Sequence, residues 1–485
     1  MRTLISLILV VMLAIGITGC TKKADEGKIP ITTTSNEAKK EFMDGRDLAE
    51  KFLLTTSIQH FDKAIALDSG FALAYLERAN ASLTNKDFFF YLKKAVALKD
   101  QCTEGERLLI LSTEAGTNAN RVKQKEYLDK LITLYPNDER VHLNLGMYYQ
   151  GQQELTSAIE QFRKAVEIAP GYSPAYNTLG YAYRQIENYP EAENAFKKYI
   201  ELVPNEPNPY DSYAELLLKI GRFDESIVNY QKALKVDQTF FGSHIGIAAN
   251  YMYKGELDSG SMELKKLSDM ARNDGERRQA NYTQMVLYVD AGKMDLALQE
   301  LEKRYMLDEK SNDVVSMAGD WGIKGDILLD MDKFNDALTA YEKSEQLIAS
   351  SDLSQELKDN AELNLHFYRA AVALEKKDLK KAKAETEEFR KTAEPKKNLT
   401  RIQMGHQLAG RIAFAEKKND TAVAEFLQTN LQNPYNFYRL ALAYQSMGDK
   451  GKAKEFCKKA AKFNGMPVLT YALIRMKAEK LLSTL

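Results

Sequence analysis

From Glu139 to Phe240 the apolar positions recur in three segments that superpose without a gap at a spacing of 34 residues. Leu145, Leu179 and Tyr213 align, as do Gly146, Gly180 and Ala214, then Tyr149, Tyr183 and Leu217. Ala158, Ala192 and Ser226 follow, then Phe162, Phe196 and Tyr230; Pro170 and Pro204 close the first two segments, and Gln238 stands in the third. Within each segment the spacing is helical. Leu145, Gly146 and Tyr149 share one helix face, and Ala158, Phe162 and Ala165 share the face of a second helix. Small residues at Gly146 and Ala158 let the two helices approach, Tyr149 and Phe162 fill the groove beside them, and proline ends the second helix. Such a hairpin buries only one side of itself, so its stability must come from the next hairpin in line.

Weaker copies extend the array both ways. Leu111, Ala115, Leu128, Leu131 and Pro136 keep the register one step back, and the stretches beginning Phe61 and Leu92 predict second helices of two further pairs. Forward, Ile247, Ala248, Tyr251 and Leu264 continue it; Ala297 with Leu301, Ala337 with Tyr341, Ala422 with Phe426 and Pro434, and Leu440, Tyr444, Ala453 and Ala460 mark later pairs. The period breaks near Asp308–Val315, Ala349–Leu357 and Lys391–Leu399, polar turn-rich stretches that read as joints. Pro467 to Leu485, with Leu469, Ala472, Leu473, Met476, Leu481 and Leu482 on one side, predicts a terminal helix covering the last hairpin. The expected units are 38–310, an N-terminal and central array; 311–466, a degenerate C-terminal array; and 467–485, a cap.

The combination of Leu-Gly, Tyr, Ala, Phe and a closing Pro at this period resembles the tetratricopeptide repeat family. The resemblance spans most of the chain and implies an all-α superhelical solenoid of about ten to twelve hairpins. It also implies that the first helices of successive pairs line a concave side from which binding residues project. Those positions fall on Leu143 and Met147, on Asn177, Tyr181 and Arg184, and on Asp211 and Glu215. Apolar, aromatic and acidic groups together suit an extended or helical segment of another protein. A known subtype grips C-terminal carboxylates with Lys and Asn at such positions; here Leu143, Met147 and Asp211 stand there, so that clamp is not expected.

At the N-terminus, Met1-Arg2-Thr3 gives a positive start and Leu4 to Ile17 an apolar run of signal-peptide length. Ile17-Thr18-Gly19-Cys20 resembles the lipobox of bacterial lipoproteins, which implies a signal peptide over 1–19 and an acylated N-terminus at Cys20. Two or three acyl chains anchor a protein far more firmly than one. Residues 20–37 have no helical period and read as a flexible tether. By analogy with Gram-negative sorting, the absence of Asp after Cys20 favours the periplasm-facing outer membrane.

At 485 residues the chain exceeds a single hydrophobic core, which a repeat array does not need. Lys and Arg number 67 against 68 Asp and Glu, so no global field draws nucleic acid. The Lys-rich stretch from Lys450 to Lys480 reads as a solvated helix face. Three cysteines make no disulfide framework. Cys457, at the aromatic position of the last repeat, reads as a small buried hydrophobe, and a bridge to Cys102 would have to join opposite ends of a rod. His60, His142, His244, His366 and His406 are scattered without metal-ligand spacing. Asp330 to Asp336 resembles a calcium loop only superficially, because Asn335 stands where Gly is required and Tyr341 where Glu is. No phosphate-binding loop or nucleophile elbow is present, so neither a cofactor nor an enzymatic role is expected. The sequence thus points to a lipid-anchored envelope scaffold or assembly adaptor that binds other envelope proteins. A second reading is a sensor or transport accessory holding a peptide or glycan between the joints near Asp308 and Ala349.

Overall fold

The computed structural model describes residues 27–485. Cys20 and the signal-like run lie outside the described residues. Helical hairpins follow one another along the chain: α1 (Asn36–Glu50) with α2 (Leu54–Leu67), α3 (Ala72–Asn80) with α4 (Asn85–Leu98), α5 (Glu104–Thr117) with α6 (Arg121–Leu134), and α7 (Glu139–Gly151) with α8 (Leu155–Ile168). Next come α9 (Ser173–Gln185) with α10 (Tyr189–Leu202), α11 (Asn208–Lys219) with α12 (Phe223–Val236), α13 (Phe241–Lys254) with α14 (Leu257–Met270), and α15 (Asp274–Asp290) with α16 (Met294–Ser311). The last are α17 (Val314–Asp330) with α18 (Phe334–Ala349), α19 (Gln355–Glu375) with α20 (Leu379–Ala393), α21 (Leu399–Ala415) with α22 (Asn419–Phe426), and α23 (Pro434–Ser446) with α24 (Lys450–Ala461), before α25 (Leu469–Leu482). Among the described residues there is no strand, and the fold is an all-α tetrad-patterned solenoid of paired helices.

One contact recurs inside the hairpins. A glycine of the first helix lies against an aromatic ring sixteen positions later in the second: Gly45 with Phe61, Gly146 with Phe162, Gly180 with Phe196, Gly325 with Tyr341, and Gly410 with Phe426. A methyl group added at Gly180 would stand 2.7 Å from the Phe196 ring, closer than carbon atoms can sit. The rings are fully buried or nearly so, and each hydrophobic cluster runs from one hairpin into the next, as Phe162, Leu179, Phe196 and Leu216 do. The turn between paired helices also repeats, with a left-handed residue at Gln153, Glu187, Gly221 and Gly255. Glycine takes that conformation freely, whereas Gln and Glu there hold it only because the helices on both sides are packed.

The breaks in period have a simple cause. First helices begin at Asp274, Val314, Gln355 and Leu399, intervals of 40, 41 and 44 residues, because the helices here are longer: α16 has 18 residues and α19 has 21, against 13 for α7 and α9. The three stretches expected as joints fall at the ends of these long helices, and helix packing continues across each of them.

The array is not a rod. It coils so that the inner turns of early hairpins meet the starts of late first helices. Asn85 Nδ2 donates to Ser316 Oγ at 3.1 Å and Lys86 Nζ to the Ser311 carbonyl at 2.7 Å. Ser354 Oγ meets Asn118 Oδ1 at 3.1 Å, Gln153 and Gln403 exchange amide hydrogen bonds at 3.3 and 3.1 Å, and Gln432 donates to the Gln185 carbonyl at 3.2 Å. Hairpins two to five therefore stack on hairpins nine to twelve through a seam of mostly neutral polar groups.

The C-terminal helix does more than cover the last hairpin. It packs on α24 and also reaches back to α15, where Leu469, Ala472 and Leu473 join Met252, Met285, Val286 and Val289 in one core cluster. Arg475 Nε donates to Asp290 Oδ1 at 2.7 Å, and Lys477 pairs with Asp330. At the other end, the stretch expected as a free tether is held from Lys28 onward: Lys28 bonds Glu139 at 2.6 Å, the Ile29 amide donates to Asp138 at 2.9 Å, and the Thr32 amide to Glu106 at 2.7 Å.

Replacing Gly180 by Leu should overpack the α9–α10 hairpin and cost about 1–3 kcal/mol in denaturant unfolding. An unchanged midpoint would contradict the placement of Gly180 at the helix crossing.

Candidate functional site: the concave surface and its chamber

The first helices α1, α3, α5, α7 and α9 ring a cavity of about 1270 Å³ roofed on one side by Ile29 to Ile31. Its walls are mixed. Phe42, Leu73, Leu76, Leu109 and Val141 supply apolar surface, and Met43, Phe52 and Met147, each 40–49% exposed, stand where it opens to solvent. A charged group sits inside. Arg140 makes a two-pronged contact with Glu50 at 2.8 and 3.3 Å, stacks over the Tyr172 ring with its centre 5.0 Å away, and Tyr172 Oη lies 3.5 Å from Glu50. Burial works against the Arg140 charge, but Glu50 and Tyr172 outweigh it and hold the guanidinium firmly protonated. Arg46 and Glu77 feel this same group of charges, yet neither makes an ion pair among the described residues. Burial, then the like charge of Arg140, holds Arg46 below its ordinary range, and burial raises Glu77 above the usual carboxylate range.

The expected binding residues divide into two groups. Leu143, Met147 and Asn177 line the chamber: Leu143 is buried in the wall, Met147 is 44% exposed, and Asn177 is 3% exposed. The Asn177 carbonyl oxygen is buried with no hydrogen-bond donor. Tyr181, Arg184, Asp211 and Glu215 form a second cluster deeper along the array. Arg184 pairs with Glu215 at 3.0 Å and stacks over Tyr181 at 4.6 Å, while Tyr181 Oη donates to Ser212 Oγ at 3.3 Å. Asp211 is buried and accepts from Ser243 Oγ at 2.6 Å. Burial first, and the Glu215 charge second, push the Asp211 carboxyl well above the usual range, against the Ser243 hydrogen bond. This cluster is thus not the acidic pair that its residue types suggest, since Glu215 is neutralised by Arg184 and Asp211 holds its proton near neutrality.

Past this cluster the trough is not open. The chain's own C-terminal segment lies along α11 to α15: Lys219 Nζ sits 3.5 Å from the Phe463 ring centre, Tyr230 Oη contacts Met466 Sδ at 3.6 Å, and Tyr253 Oη bonds the Gly465 carbonyl at 2.9 Å. Tyr282 Oη accepts from the Leu469 amide at 3.3 Å. A trough open along its whole length, as the repeat pattern suggested, is therefore corrected to a chamber at the N-terminal end and a filled groove in the middle. Near the joint at Asp308, the space between α15, α16 and α17 holds buried ion pairs, Arg278 with Asp308 and Arg304 with Asp320 at 2.8 Å.

Reading from the sequence missed Arg46 and Glu77, although their register was available. Arg46 follows Gly45 as Met147 follows Gly146 and Tyr181 follows Gly180, and Glu77 stands sixteen positions before Lys93 as Arg46 does before Asp62. The same inward position thus reads Arg46, Glu77, Thr113, Met147, Tyr181, Glu215. The five histidines hide a second regularity. Each bonds a Glu or Gln nineteen positions away on the partner helix: His60 with Glu41, His142 with Gln161, His244 with Glu263, His366 with Glu385, and His406 with Glu425, at 2.5–2.9 Å. They are clasps within hairpins. Cys457 is buried and its thiol bonds the Ala478 carbonyl at 3.1 Å, while burial raises the Cys102 thiol to about 11.

Paired helices stacked by a glycine-to-ring contact, coiled around an inner surface of first helices, define a helical-repeat solenoid. Family profiles described as Tetratricopeptide repeat match residues 137–205, 208–240 and 435–465. The chain is a tetratricopeptide repeat protein. A tetratricopeptide repeat protein from Parabacteroides merdae is 17% identical, with 54% of this chain and 98% of that one covered and a TM-score of 0.37. A thermophilic repeat protein from Thermus thermophilus is 18% identical, covering 36% and 94%, at 0.31, and YrrB, described as having an unusual peptide-binding site, is 20% identical, covering 38% and 92%, at 0.26. No curated protein matches the chain. Family membership rests on the repeat matches and the hairpin geometry. Among the described residues no helix is long and apolar enough to cross a membrane.

Because the folded chain keeps the Asp211 proton while the unfolded chain releases it at the ordinary carboxylate pKa, stability falls as pH rises from about 4 toward neutrality and above. Asp211→Asn removes that loss and keeps an acceptor for Ser243. Its melting temperature relative to the parent should rise between about pH 5 and pH 8. A difference that stays constant with pH would contradict a neutral Asp211.

Proposed function

We propose that the protein is a membrane-tethered scaffold or assembly adaptor of the cell envelope, and that it receives a segment of a partner protein in the chamber ringed by α1, α3, α5, α7 and α9. The observation that carries this reading is the chamber itself: about 1270 Å³ of mixed apolar and charged wall, open past Met43, Phe52 and Met147, in a repeat family that generally binds proteins or peptides. Exposed methionines and an aromatic at a concave mouth are the residues that adapt to a partner's side chains. No nucleophile, base and orienting group converge in this chamber, and the role is one of holding rather than transforming.

Lipidation of Cys20 would place this mouth on a membrane surface, with the stretch before Lys28 as the link. The resemblance of Ile17 to Cys20 to a lipobox supports this, and the periplasmic face of the outer membrane is the proposed site.

Recovery of partners from detergent-solubilised membranes tests the reading. Met147→Lys, an exposed substitution that the fold tolerates, should reduce co-purified protein at least about tenfold, the loss expected when a cation is buried against an apolar guest. Equal recovery would remove the chamber as the docking site. Cys20→Ser should move the protein from the membrane to the soluble fraction, and unchanged fractionation would contradict the anchor.

A further inference from the structure

Three polar groups in the chamber have no match for their chemistry. Arg46, on α1, touches only the Met43 sulfur at 3.1 Å and the face of Phe42, 5.6 Å from its centre. Glu77, on α3, accepts one long hydrogen bond, 3.4 Å, from Asn80. Asn177, on α9, is almost fully enclosed and its carbonyl oxygen has no donor. A cation and an anion that line one cavity without an ion pair each gain from a guest that brings the complementary group. Glu50, the carboxylate that acts most strongly on Arg46, is engaged by Arg140 and Tyr172.

From this arrangement we infer that the chamber selects an extended peptide segment of a partner protein that carries both an acidic and a basic side chain: the carboxylate meets Arg46 and the ammonium or guanidinium meets Glu77. The pairing already made inside the chamber favours such a guest. Arg140 and Glu50 already match each other, so a segment of one sign would leave Arg46 or Glu77 unmatched, whereas a segment carrying both signs leaves neither. The guanidinium reads a carboxylate through paired N–H donors, which a lone amine in its place could not do as well. The volume, about 1270 Å³, exceeds the roughly 300–1,000 Å³ of small-molecule pockets and admits a segment rather than a single side chain. This rests on the chamber being the docking site, and it adds which sequence would dock.

A library of random octapeptides displayed on phage, selected on the full chain, tests it. Enriched inserts should carry at least one Asp or Glu together with at least one Lys or Arg. Selection on Arg46→Gln should lose the acidic preference alone, and selection on Glu77→Gln the basic preference alone, while Arg46→Lys keeps a weakened acidic preference. A synthetic peptide from the parent pool should bind either Gln variant about tenfold or more weakly, the worth of one charge-assisted contact. Melting curves of the variants check that they fold. Enrichment without charge preference, preferences that persist in both Gln variants, or no enrichment at all would overturn the inference. Loss of membrane partners by Met147→Lys alongside any of those outcomes would leave the scaffold standing and remove only the charge-pair readout.

Discussion

The close approach of two helices at a glycine is the constraint on which the rest of the molecule depends. At Gly180 the Phe196 ring lies where a side chain would be, and the same contact recurs at Gly45, Gly146, Gly325 and Gly410. It fixes how near and at what angle the members of a pair cross. Each pair then presents a face that only another pair can cover, and stacking many nearly identical pairs at a constant small rotation yields a coil. A coil that continues past one full turn brings its own early and late hairpins into register, which is how Gln153 meets Gln403 across 250 residues.

That coiling decides where a guest can go. The inner surface of the middle hairpins is covered by the chain's own segment from Phe463 to Lys477, held by ring contacts, hydrogen bonds with Tyr253 and Tyr282, and the Arg475–Asp290 pair. The inner surface of the first five hairpins keeps a space. Its walls put charge without an ion pair beside apolar surface, whereas the groups farther along, Arg184 with Glu215 and Asp211 with Ser243, satisfy one another. Binding capacity and internal packing are thus divided between two stretches of one repeating surface.

Much of this was legible in the sequence, and the reasons differ by element. The three best repeats declare themselves because Gly, Ala and Phe are demanded by the helix crossing, so the paired helices, their prolines and the family resemblance all follow from them. The late hairpins were blurred, since helices such as α16 and α19 lengthen by a turn or more and shift the period without altering the packing rule. Met147 and Asn177 were placed on the concave side by register alone. Tyr181, Arg184, Asp211 and Glu215 share that register, but they satisfy one another and Ser212 and Ser243 on neighbouring first helices, a pairing that no pattern within one repeat encodes. Arg46 and Glu77 were missed because hairpins one and two lack the full repeat signature, and the histidine clasps because a nineteen-residue separation joins two helices rather than one.

The array winds past one turn, so that early hairpins stack on late ones. In a chain with Cys20, Cys102 and Cys457 replaced by Ser, Gln153→Cys and Gln403→Cys place two thiols across the seam, where the native amides exchange hydrogen bonds. A short bifunctional thiol reagent should join them efficiently within one molecule, seen as a shift in gel mobility that neither single variant shows. Failure to join them, under conditions where a pair placed across one hairpin reacts fully, would contradict the coil.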